Sequence, residues 1–285
     1  MASGIFVGLS TIDLVHTVDE FPPANTKAVA RSQEVFAGGP ATNAAITFSL
    51  LGGKATLVSV VGRHAVAALV ADELRGYEVD LVDLAPQSEL SPAISSVWVN
   101  QLGQRSVVSV NATRGDIPNP QVDQSLLRKA SILLVDGHLM SASLAWAASA
   151  RTLGIPVVFD GGSWKLGTET LLNFVNIAIC SADFSPPGRI SEDTVIQYLQ
   201  SAGVRQVAIT HGANPVRFVD TSHSGLIEVP QVDAIDTAGA GDIFHGAFCF
   251  HTANGSSFVE ALREATRIAT ASCQVHGTRE WISVR

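Results

Sequence analysis

Short, nearly unbroken apolar runs alternate along the chain with stretches in which apolar residues recur at steps of three and four. GIFVGLS (4–10), ATLVSVVG (55–62), SILLVDG (131–137), IPVVFDG (155–161), VNIAIC (175–180) and VRQVAIT (204–210) have the first pattern. They predict strands covered on both faces, because a strand with one wet face alternates apolar and polar. Segments 40–51, 65–75, 141–153 and 192–202 have the second pattern and predict helices. Strand, helix and strand in succession predict a parallel sheet with right-handed crossovers.

Two stretches break this rhythm. KAVARSQEVF (27–36) and AISSVWVNQLGQRSVVSV (93–110) read as antiparallel strands, the second with a turn at Leu102-Gly103-Gln104. They predict either a small flap shared by two distant segments or an antiparallel edge of the main sheet. The C-terminal third ends in two helices. In 257–273, Phe258, Ala261, Leu262, Ala265, Ile268 and Ala269 share one face, which packs on the core.

A chain of 285 residues can form one large α/β domain or two small ones. Charged residues make up 15% of it and the net charge is −8. That balance argues against a surface that coats nucleic acid, but not against an anionic ligand in a locally basic pocket. Cys180, Cys249 and Cys273 stand far apart in apolar segments, without zinc or Cys-x-x-Cys spacing. They predict reduced core thiols. The first residues lack a basic stretch and meet Asp13 early, which does not fit a signal peptide. No run approaches the ~20 apolar residues of a membrane helix. The expectation is a cytoplasmic protein with neither nucleic acid nor membrane as partner.

Candidate chemistry concentrates in DTAGAGDIFHGAF (236–248). Gly239 and Gly241 let the backbone turn tightly and approach a ligand closely. The helix that follows has Ile243, Phe244, Ala247 and Phe248 on one side. Its first N–H groups lack intrahelical partners and lie at the positive end of the dipole, which suits a phosphate. Asp242 sits in the first turn, placed as a base that takes a proton from an attacking hydroxyl while the glycine amides hold the transferring charge. The same residues would also serve as an acidic first turn on an ordinary helix, and Gly-x-Gly-Asp alone does not separate the two.

DTAGAGD closely resembles the Asp-Thr-x-Gly-Ala-Gly-Asp signature of the ribokinase-like (PfkB) carbohydrate kinases. AGGPATNAAITFSLLGG (37–53) resembles that family's amino-terminal Gly-Gly…Asn-x-Ala…Leu-Gly signature. The likeness covers essentially the whole chain. It implies a single domain over 1–285, a three-layer αβα sandwich with a mostly parallel central sheet, and a small β-sheet lid from about 14–37 and 92–112. It implies ATP-dependent phosphorylation of a sugar, with Mg²⁺ bridging the β- and γ-phosphates. Separately, the flap segments 27–36 and 93–110 are too few strands to stand alone, so they are expected to cover the sugar and pair with a second subunit's flap in a homodimer through the lid.

The resemblance makes Asp242 the base and Gly239, Ala240 and Gly241 the anion hole. It gives Asp13, Gly38, Gly39 and Asn43 to the sugar. It gives Thr210 and Gly212 to the nucleotide side, with Gly239 and Gly241, and Gly277 to the loop near adenine. It places Asp236 and Thr237 near a monovalent-cation site of the K⁺ kind.

Some positions depart from the pattern. The family's Asn-x-x-Glu is absent from SADFSPPG (181–188), where Asp183 is the one carboxylate, so the Mg²⁺ ligands stay unassigned. Gly-Asp-Asp is replaced by GRH (62–64), and Pro215 stands at the second glycine of Thr-x-Gly-x-x-Gly. GGPATNAA, GDIFHGA and FSPPG are most similar to the sulfofructose-kinase and ketohexokinase branch. Lys27 and Asn111 resemble positions that hold a sulfonate there, while His138 stands where that branch has arginine. The expectation is a ketose-like acceptor with a neutral or weakly held tail. A nucleoside kinase of the same fold, or a catalytically weak sugar-binding or regulatory protein, remains the alternative.

Overall fold

A computed structural model describes residues 1–101, 104–110, 117–189 and 191–284. The chain starts the main sheet with β1 (Ser3–Val7) and leaves it for β2 (Thr11–Thr17) and β3 (Ser32–Gly38). It returns through α1 (Pro40–Leu50) to β4 (Lys54–Ser59), α2 (Ala67–Gly76) and β5 (Val79–Asp83). A second excursion makes β6 (Ala93–Val99) and β7 (Arg105–Ser109). Then come α3 (Gln124–Leu127), β8 (Ile132–Val135), α4 (Met140–Thr152), β9 (Val157–Gly161), α5 (Thr168–Leu171), β10 (Ile177–Ser181), α6 (Glu192–Ser201) and β11 (Gln206–His211). The strands β12 (Asn214–Val219) and β13 (Ser224–Ile227) precede the last long helices, α7 (Ala240–Ala253) and α8 (Phe258–Ser272).

Among the described residues the main sheet runs β13-β12-β11-β10-β9-β8-β1-β4-β5. Every pair from β11 to β5 is parallel. Alternate residues of its strands feed two separate cores. Ile5, Val7, Leu133, Val135 and Phe159 pack with Trp146 of α4 and Leu199 of α6. Phe6, Ile132, Leu134, Val158 and Ile179 face the other way, toward Phe48 of α1, Phe248 of α7 and Leu262 of α8. Covering both faces makes the three-layer αβα sandwich, and it is why these strands read as unbroken apolar runs. No described helix is long and apolar enough to cross a membrane.

The first expected strand, 4–10, is split. The chain leaves the main sheet after Val7, and a new strand starts at Thr11. Asp13 therefore rides on β2 rather than on the end of β1. The strand expected over 27–36 occupies Ser32–Gly38. With β6 and β7 these strands form a separate four-stranded sheet, ordered β3-β2-β6-β7, in which β2 and β6 are parallel. The flap is thus a sheet of its own. The main sheet has a different antiparallel edge, β12 and β13. Of the turn expected at 102–104, only Gln104 is among the described residues.

Two helices that bear on the site touch at Gly246. A Cβ there would overlap the Ala44 carbonyl oxygen and lie 2.6 Å from Thr47 Cβ. The missing side chain lets α7 lie directly on α1.

Candidate active site

The close approach of α1 and α7 brings together side chains 199 residues apart: Asn43 Nδ2 donates to Asp242 Oδ2 at 2.7 Å. Asp242 is half-buried in the first turn of α7. Burial pushes its carboxyl up to about 7, and the charge of Asp160 adds to the rise; the Asn43 bond and His245 oppose it. Gly239 caps the helix with φ 66°, a left-handed backbone that glycine adopts at little cost. A Cβ there would lie 2.5 Å from Thr278 Cγ2. The amides of Gly241 and Asp242 lie at the dipole-positive end of α7, while the Ala240 N–H points back to the Thr237 carbonyl at 3.3 Å.

On the β2 side, the Asp13 carboxylate accepts from Thr11 Oγ1 at 2.7 Å. Burial raises its pKa, against the bonds from Thr11 and Ser95 and the charge of Arg279. A Cβ on Gly38 would overlap the Asp13 carboxylate, and one on Gly39 the Leu9 carbonyl oxygen. Buried Asp136, just past β8, ties this corner together. Its Oδ2 accepts the N–H of Leu9 at 2.8 Å and of Ala41 at 3.3 Å, and its Oδ1 accepts the N–H of His138 at 2.9 Å. Burial lowers the pKa of His138; Asp136 opposes that, and nearby Lys165 reinforces it.

A groove of about 510 Å³ opens on the other side of Asp242, lined by Thr210, Gly212, Thr237, Ala240 and Gly241. Asp160, Gly162 and Ser181 form its floor at the ends of β9 and β10, and Arg105 reaches it from the second sheet. Asp242 belongs to this groove and also to the Asn43 contact, so it stands where the two halves of the site meet. Behind it, His245 places Nδ1 2.7 Å from the Gly241 carbonyl oxygen and Nε2 3.2 Å from that of Ile179, with Asp160 Oδ2 3.5 Å from Nδ1. Pro215 is accommodated by an irregularity in the β11–β12 ladder, and its carbonyl oxygen lies 3.0 Å from His211 Nδ1.

Thus Asp13, Gly38, Gly39, Asn43, His138 and Asp242 gather at one end, and Thr210, Gly212, Gly241 and Asp242 along the groove. Gly277 joins them through its N–H, which donates to Asp236 Oδ2 at 3.0 Å; Asp236 Oδ1 accepts from Ala238 N–H at 2.8 Å. Both oxygens of Asp236 thus hold backbone amides. Each oxygen keeps a further lone pair, so a monovalent cation at Asp236 and Thr237 would share the carboxylate with these amides. Among the described residues no group of three or more His, Cys, Asp or Glu side chains is placed to hold a metal. Lys27 stands apart on the exposed loop between β2 and β3, in a hollow it shares with Asp19, Phe21 and Gln101. Asn111 lies outside the described residues.

Sequence reading missed Asp136, Asp160, His245, Lys165, Arg105 and Arg279. A signal existed for two of them. LLVDG and VVFDG each end a parallel strand with Asp-Gly, and ligands in α/β sheets bind at the carboxyl ends of strands.

Comparison with known proteins identifies the family and the fold. The family model described as pfkB family carbohydrate kinase matches residues 1–284. The chain is 22% identical to a ribokinase of Staphylococcus aureus, over 96% of this chain and 94% of that one. It is 24% identical to the ketohexokinase of Mus musculus, over 95% and 96%. In fold it is similar to a ribokinase from Thermotoga maritima, with a TM-score of 0.82, 22% identity and coverage of 100% and 98%. It is also similar to the Arabidopsis thaliana ribokinase complexed with ribose and ATP, with a TM-score of 0.80, 22% identity and coverage of 97% and 94%.

Proposed function

The chain belongs to the pfkB family of carbohydrate kinases, and on that premise we propose that it moves the γ-phosphoryl group of ATP to a hydroxyl of a ketose-like sugar, with Asp242 as the base. Family members of this kind are phosphotransferases with an alcohol acceptor. The single observation that carries the catalytic reading is the position of Asp242: it lines the nucleotide-side groove, bonds Asn43 and heads α7 beside Gly239–Gly241.

ATP enters the 510 Å³ groove as its Mg²⁺ complex, with its γ-phosphoryl end toward the amino terminus of α7. The sugar lies against Asp13, Gly38, Gly39 and Asn43, under the second sheet acting as a lid. Asn43 occupies Oδ2 of Asp242, which leaves Oδ1 to take the proton of the acceptor hydroxyl. The hydroxyl oxygen then bonds the γ-phosphorus as the bond from phosphorus to the β–γ bridging oxygen breaks, and ADP departs. Little covalent work falls to the protein. Positioning and charge stabilisation supply the rate. Amides at the head of α7, and Arg105, which lines the groove from the lid, would meet charge on the moving group.

His138 supports the neutral-tail reading of the acceptor. Burial disfavours its charged form, and it cannot offer the bidentate fork of an arginine. Kinetics with ATP on ribose, fructose, fructose 6-phosphate, sulfofructose and a nucleoside test the reading. Fructose or another neutral ketose is expected to show the highest kcat/KM. Turnover of anionic sugars alone would refute the neutral tail, and turnover of nucleosides alone the sugar assignment.

A further inference from the structure

Arg279 follows α8 and is an almost enclosed cation, with 10% of its side chain exposed. Its Nε donates to Glu73 Oε1 of α2 at 3.1 Å. Nη1 donates to Asn43 Oδ1 at 2.9 Å and to Thr278 Oγ1 at 2.6 Å, and Nη2 to the Ala37 carbonyl at 2.6 Å. The guanidinium also lies 5.6 Å from the centre of the Tyr77 ring. The second carboxylate oxygen of Glu73 accepts the Ala37 N–H. A buried guanidinium keeps its charge and needs such partners.

The consequence falls on Asn43. A side-chain amide can turn its oxygen or its nitrogen toward a neighbour, and the surrounding donors and acceptors decide which. Arginine only donates. Facing Arg279, Asn43 must present Oδ1 to it and Nδ2 to Asp242. The flipped amide would set an oxygen against a carboxylate and an N–H against a guanidinium. We propose that Arg279 is a positioning residue of the phosphoryl-transfer site: it fixes the Asn43 amide, through it the Asp242 carboxylate, and ties both to Ala37 at the foot of the lid. This rests on Asp242 being the base. The segment that carries Arg279 is itself anchored, by the Gly277 bond to Asp236 and by Thr278 against Gly239.

A double-mutant cycle tests the inference. Arg279→Met keeps the stem and removes every donor; it is paired with Asn43→Ala, and Asp242→Asn is assayed alongside with the sugar of highest turnover. Arg279→Met is expected to lower kcat about 10–10²-fold, the cost of a misplaced reacting group, while KM for ATP stays near wild type. If Arg279 acts through Asn43, the double variant is about as slow as Asn43→Ala alone. Losses that multiply, or wild-type kcat in folded Arg279→Met, would overturn the proposal. Asp242→Asn with wild-type kcat would remove the base reading and this inference with it. An inactive Asp242→Asn beside multiplying losses would remove this inference only. Should Arg279→Met not fold, Arg279→Lys, which keeps the charge opposite Glu73 but lacks the fork, enters the same cycle. Independently of turnover, NMR should show slow exchange of the Asn43 side-chain NH₂ in the wild type and faster exchange in the variant. Unchanged exchange would also overturn the proposal.

Discussion

Half-buried near the charge of Asp160, Asp242 ionises less readily than an ordinary carboxylate, although its bond from Asn43 works the other way. A base must be ionised to work, so kcat/KM of the free enzyme should fall on the acid side of about pH 7. Asp160→Asn removes a charge that raises Asp242, and should move that acid limb to lower pH. A limb that stays put would show that Asp160 does not tune the base. Asp242→Asn should lower kcat about 10²–10⁴-fold, the usual span for a general base. The same change should stabilise the fold. An acid whose pKa is raised by folding contributes stability below its unfolded pKa, near 3.9, and loses it as pH rises through the folded value. At pH 8 the wild type has lost that contribution, while the amide keeps the Asn43 contact through its oxygen. A higher Tm for Asp242→Asn at pH 8, with the gap closing toward pH 4, is expected; a lower Tm at pH 8 would contradict it. Asp242 and Asn43 could be read in the sequence because each sits in a short local signature. Arg279 could not, because what gives it a role is Glu73, Asn43 and Ala37, all more than 200 residues earlier.

Gly246 sets the spacing of two helices, and that spacing sets the Asn43–Asp242 contact. Gly246→Ala would favour α7 as an isolated helix by ~1 kcal/mol. It would also drive a methyl into the Ala44 carbonyl. The clash should win, because overpacking costs roughly 1–3 kcal/mol. A lower Tm with a kcat loss larger than any change in KM is expected; unchanged kcat would show that the helix spacing is not what sets the base. Buried central strands and the longer helices between them were legible from pattern, because both faces are covered and their runs are long; the four-residue helices α3 and α5 were too short to show a period. Four strands were not legible, β2 among them. β5 is only partly covered, β12 contains Pro215, and four-residue β13 has three residues that are not buried. Nor was the break after Val7 legible, since apolar residues continue across it into Leu9 and Ile12. The chain changes sheets there without changing character.

The second sheet leaves unusual apolar surface in water: Trp98 is 37% exposed, Val107 57% and Val108 75%. A few strands gain little stability alone, and we propose that two copies of the lid pack together in a homodimer. Light scattering at micromolar concentration should give twice the chain mass, and Val107→Lys with Val108→Lys should shift it toward the monomer. A monomeric wild type would refute this. The Arg279–Asn43 bond spans 236 residues of sequence, the Arg279–Glu73 pair 206 and the Asn43–Asp242 bond 199. Contacts of such separation are slow to form, because closing the intervening loops costs entropy before anything rewards it. The segment after α8 therefore completes the site: the donors that orient the Asn43 amide toward Asp242 arrive only once that segment has docked against α1 and α2.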